Sequence, residues 1–90
     1  MPRVRLQMAQ ALRLEGRRGA AVTVLQDVLD SDLIDRDLVG EARWNLALCY
    51  IEMRKRHEAR RELLYLITKF PRSHWARQAR PKMQDVLRMD

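Results

Sequence analysis

The side chains able to do chemistry in this 90-residue chain are few and poorly spaced for it. Cys49 is the single cysteine, and the two histidines, His57 and His74, stand far from it in charged segments. One thiol with two distant imidazoles does not make the short paired spacings of a metal site. Glu58 and Glu62 lie one helical turn apart, but Arg61 and neighbouring cations are at hand to pair with them, which disfavours an acid–base couple. No glycine-rich phosphate loop is present. The expectation is a non-enzyme with no catalytic residue, no metal and no cofactor.

Charge is the next candidate for function. The chain carries 18 Lys and Arg against 12 Asp and Glu, a net +6. Residues 1–45 balance to zero, so the whole excess lies in residues 46–90. Its densest part is Arg54-Lys55-Arg56-His57 followed by Arg60-Arg61. Such a cluster is either a solvated face, favourable at the C-terminal end of a helix, or a contact for phosphate, nucleic acid or an acidic peptide.

These groups must be held by helices, because apolar residues recur at helical spacing throughout and strand signals are absent. Five helices are expected. The first spans about residues 3–15 and ends at Gly16. The second, about 19–30, carries Ala21, Val24, Leu25 and Val28. Asp30-Ser31-Asp32 breaks the pattern, and Asp35 or Asp37 is a plausible N-cap for a third helix over about 37–54. The fourth covers about 56–69 and stops at Pro71. Ser73 caps a fifth over about 74–89, in which Pro81 is expected to kink or shorten the first part. With one cysteine, no internal disulfide can form, and the apolar neighbours of Cys49 place its thiol in the core. Residues 1–90 read as a single all-α domain.

The third helix has two apolar stripes. Ala42, Leu46, Cys49, Tyr50 and Met53 form one. Trp44, Leu48 and Ile51 form another on a different face. A helix apolar on two faces is either sandwiched between neighbours or bears a binding patch, and both readings stand at this level.

A spacing recurs along the chain. Leu46-Ala47, Tyr50, Ala59, Leu63 and Pro71 follow Met8-Ala9, Leu12, Ala21 and Leu25 at an offset of 38 residues. Large-small, aromatic, Ala, large apolar and Pro in this order resemble the tetratricopeptide repeat, whose units normally recur every 34 residues. The extra residues fall in the connection around 30–37. Arg43 stands where the family has Trp, Trp44 follows it, and Arg54 replaces the Gly of the inter-helix turn. Phe70-Pro71-Arg72-Ser73-His74-Trp75-Ala76 with Ala79 resembles the junction YPxSxYAxxA of bacterial members.

The resemblance implies antiparallel helix pairs in a short right-handed α-solenoid. Repeat one would be residues 3–30, repeat two 37–71 and a capping helix 74–89. It further implies a protein–protein interaction adaptor that takes a partner peptide or helix in a concave groove. The groove residues would be Leu6, Gln10, Arg13, Trp44, Asn45, Leu48, Ile51 and Lys82, with Arg13, Lys82 and Arg88 selecting acidic flanks. Two alternatives remain open: nucleic acid or another anionic surface bound by Arg54, Lys55, Arg56, Arg60 and Arg61, or a self-assembling structural module, a homo-oligomer joined through its repeat ends. Met1-Pro2-Arg3-Val4-Arg5 leads into no apolar run of the signal-peptide kind, and no run reaches membrane-spanning length, so the expected compartment is the cytoplasm.

Overall fold

The computed structural model describes residues 1–32 and 34–89. Five α-helices follow one another: α1 (Pro2–Leu14), α2 (Arg18–Leu29), α3 (Arg36–Glu52), α4 (Arg56–Lys69) and α5 (His74–Leu87). Each packs chiefly against its neighbours in sequence, and α3 also touches α1 and α5. Thus α1, α3 and α5 share one side, with α2 and α4 behind them. No helix among the described residues is long and apolar enough to cross a membrane.

Helix boundaries follow local chemistry. Asp35 is the N-cap of α3, where its carboxylate accepts from the Leu38 amide at 2.8 Å. Ser73 does the same for α5, accepting from the Ala76 amide at 3.2 Å, while its hydroxyl donates to the Phe70 carbonyl at 2.7 Å. Pro2 opens α1, where its missing N–H has no intrahelical partner to lose. The α5 helix runs unbroken through Pro81, although the expectation was a kink or shortening. Pro81 and Arg77, the residue one turn back whose carbonyl loses its donor, are both exposed, so water can satisfy that group.

The two helix pairs repeat one another at the 38-residue offset, including their turns. The Arg17 amide donates to Leu12 O at 2.9 Å, and the Lys55 amide donates to Tyr50 O at 2.8 Å. Gly16 and Arg54, at matching places, supply the left-handed residue, with φ of +83° and +62°. The small residues Ala9, Ala21, Ala47 and Ala59 are all buried, which lets the paired helices approach closely. Leu25, Val28, Leu63 and Leu66 fill the space beside them.

The α3–α5 contact depends on a second small residue. A Cβ on Gly40 would stand 2.6 Å from Cε3 of Trp75, so the indole occupies the space a side chain would need. Trp75 is half-buried, and its ring lies 4.2 Å from that of His74.

Candidate functional site

Three register-equivalent positions define the open side. Gln10 on α1, Leu48 on α3 and Lys82 on α5 are separated by 38 and 34 residues, and all three are half-buried. Around Leu48, the helical period places Trp44 and Ile51 on the same strip of α3. Both are half-buried and pack against the core from this side. Trp44 and Ile51 thus brace the core, and Leu48 is half-buried between them.

Two residues expected in the groove lie elsewhere. Leu6 is 1% exposed and belongs to the core. Asn45 is 5% exposed, and its amide donates to the Glu41 carbonyl one turn back at 2.8 Å. A side chain spent on its own helix is not displayed to a partner backbone.

Carboxylates meet the cations of this side. Arg13 Nη1 and Arg18 Nε each donate to Glu52 at 3.1 Å, tying the ends of α1 and α3 to the start of α2. Lys82 lies 3.9 Å from Asp85, and Arg3 lies 3.6 Å from Glu41. Glu52 was not legible as a site residue, because its partners lie 39 and 34 positions away. These pairs neutralise Arg13 and Lys82, two of the cations expected to choose acidic flanks.

Behind α3 lies a second polar cluster. Glu62 is 2% exposed, accepts from Arg43 Nη1 at 2.8 Å and lies 3.5 Å from Arg61 Nε. The Arg43 guanidinium also stacks on Tyr65 at 4.1 Å from the ring centre. This explains an Arg where the family has Trp: the planar cation covers an aromatic face and neutralises a buried carboxylate. Arg43, Tyr50, Arg61 and Glu62 line a cavity of about 200 Å³ together with Gln26, Leu29, Asp30 and Leu46. Burial raises the Tyr50 phenol above its ordinary value, nearby Glu62 adds to the rise, and the Arg61 cation partly opposes it.

Cys49 is fully buried, and desolvation holds its thiol above the ordinary value, with Arg13 pulling the other way. His57 and His74 are exposed. Among the described residues no group of three or more His, Cys, Asp or Glu is placed to hold a metal ion.

The basic cluster surrounds the α3–α4 turn. Arg54, Lys55, Arg56, Arg60 and Arg61 are all exposed. Arg54 and Lys55 follow the C-terminal end of α3, where positive charge is favourable; Arg56 and His57 begin α4, where it is not, and Glu58 offsets it. Arg56 Nη1 reaches the Met89 carbonyl at 3.3 Å. His57, Arg60, Arg61 and Leu64 border a shallow depression.

A search of known families matches residues 41–73 to the tetratricopeptide repeat. That span contains α3 from Glu41 onward, the turn at Arg54, α4 and the Ser73 cap. No curated protein and no solved structure matches the chain.

Proposed function

From the premise that this is a tetratricopeptide repeat protein, with residues 41–73 its matched unit, we propose that it binds a partner peptide or helix on the side shared by α1, α3 and α5. Repeats of this family generally serve as non-catalytic scaffolds for protein–protein contact. The observation that carries the reading is the strip Trp44–Leu48–Ile51, apolar and half-exposed at the middle of the three-helix side. Leu48 is the contact residue, Trp44 and Ile51 form the floor, and Gln10 and Lys82 flank it. The ion pairs at Glu41, Glu52 and Asp85 leave this side with both signs of charge, so apolar contact carries the affinity.

Affinity capture from source extract, with nuclease present, tests the reading by comparing wild type with Leu48→Glu. The variant should lose the captured protein while circular dichroism still reports a helical, cooperatively melting fold, because Leu48 is half-buried and not fully enclosed. Truncation of a central apolar anchor commonly costs about 2 kcal/mol of binding or more. Undiminished capture by a folded Leu48→Glu protein would remove this side as the interface.

The second reading places an anionic ligand on the exposed arginines of the α3–α4 turn. It rests on the depression between His57, Arg60, Arg61 and Leu64. Loss of the captured material on nuclease treatment would favour it.

A further inference from the structure

The outer side of α1 repeats a surface that is buried elsewhere in the same molecule. Val4, Met8 and Ala11 are the counterparts, 38 residues earlier, of Ala42, Leu46 and Cys49. On α3 those three are 0%, 2% and 0% exposed, because α2 and α4 flank that helix. Among the described residues α1 packs on α2 and more lightly on α3, and neither covers this strip. Val4 is 58% exposed, Met8 50% exposed, and Ala11 exposed as well. The helical period aligns Val4, Met8, Ala11 and Glu15 in one strip. Among the described residues, a helix surface that is covered from both sides on α3 is covered from one side on α1.

We propose that a second copy of the chain fills that place, with the α1 helices of two protomers packed antiparallel about a two-fold axis. Self-complementarity selects this occupant. A two-fold axis midway between Met8 and Ala11 sets each Met8 against the partner's small Ala11. The same axis brings Glu15 of the partner subunit opposite Val4 and within a turn of Arg5. Arg5 is free for that role by sequence. Its counterpart Arg43 is held by Glu62, but the residue matching Glu62 on α2 is Val24, which offers no carboxylate. Glu15 in turn matches Met53, an apolar position on α3. The strip thus carries a cation near one end and an anion at the other, the arrangement an isologous antiparallel contact needs. The places on and just past α5 that match Arg43, Leu46, Tyr50 and Arg54 at the 34-residue offset are Arg77, Arg80, Gln84 and Arg88, all exposed and polar, although Leu87 is exposed nearby.

Sedimentation equilibrium of the full chain, from roughly 1 to 500 µM, tests the proposal. Wild type should show a monomer–dimer equilibrium. Met8→Glu should weaken it at least ~10-fold, and Leu87→Glu on α5 should not. Arg5→Glu and Glu15→Arg should each weaken dimerisation, and the Arg5→Glu,Glu15→Arg double variant should restore it. All four positions are exposed, so circular dichroism should report an unchanged fold. A wild type that stays monomeric to the top of the range overturns the proposal. So does a dimer that survives Met8→Glu, or one that Leu87→Glu dissociates instead. Single charge reversals that the double variant fails to rescue would overturn the antiparallel register.

Discussion

Arg54 holds a backbone conformation that glycine adopts freely, and its counterpart Gly16 shows how the chain manages the same turn without strain. A β-carbon in the left-handed region costs roughly 1 kcal/mol, so Arg54→Gly should stabilise the fold by about that much. Gly16→Ala should destabilise it by a similar amount, since no atom crowds the position and conformation alone sets the cost. Urea unfolding of the two variants checks both signs. Cys49 supplies a second residue-level test. Burial raises its thiol in the folded state, so the folded protein holds the proton more tightly than the unfolded chain. The linked stability is fully present below the free thiol's ordinary value of ~8.5 and is lost as pH climbs from there toward the raised value. Unfolding free energy should therefore fall with alkaline pH, and Cys49→Ala should flatten that slope relative to wild type. A thiol reagent at neutral pH should label Cys49 only at the rate of opening.

At the scale of elements, the junction between α3 and α5 rests on Gly40 giving its side-chain space to Trp75. Gly40→Ala should cost about 1–3 kcal/mol by overpacking against the indole. The Gly40→Ala,Trp75→Leu double variant should recover part of that loss, and thermal melts of the three proteins would measure the coupling. Nothing in the apolar pattern pointed to Gly40, because a residue without a side chain leaves no periodic signal. What the pattern did carry was one-dimensional: the five helices, the caps at Asp35 and Ser73, the buried Cys49 and the 38-residue repeat. Periodicity tells which side of a helix is apolar, but not which neighbour covers it. That is why Leu6 was expected on the open side and lies in the core, and why Asn45 was expected to meet a partner and instead bonds to its own helix. The Arg13–Glu52–Arg18 and Arg43–Glu62 pairs were invisible for the same reason, since they are set by how helices dock. Glu62 tests that docking: Glu62→Ala should destabilise by about 1–3 kcal/mol, because Arg43 loses its buried carboxylate partner while keeping partial access to water. Glu62→Leu with Arg43→Met should be much milder.

The whole molecule separates its charge from its apolar side. On the side shared by α1, α3 and α5, Arg3, Arg13 and Lys82 each lie beside a carboxylate, and Arg18 at the start of α2 shares Glu52 with Arg13. The exposed arginines and lysine of the α3–α4 turn carry much of the excess that makes the chain +6. This separation makes salt a means of telling the two binding readings apart. A partner seated on Trp44, Leu48 and Ile51 gains mainly from apolar burial, so its affinity should change less than about 3-fold between 50 and 200 mM salt. An anionic polymer held by Arg54, Lys55, Arg56, Arg60 and Arg61 would release counterions at each contact. With about five contacts its affinity should fall roughly 100-fold or more over the same range. Fluorescence anisotropy with labelled single-stranded DNA, set beside titration of the captured protein, measures both slopes on one preparation. Arg54→Gly is informative twice here: it removes one cation while relieving the backbone, so it should lower the salt slope for a polyanion by nearly one contact's worth in a more stable protein. A polyanion affinity that is steep in salt and insensitive to Leu48→Glu would place function on the turn. A flat slope that vanishes with Leu48→Glu would place it on the helix side.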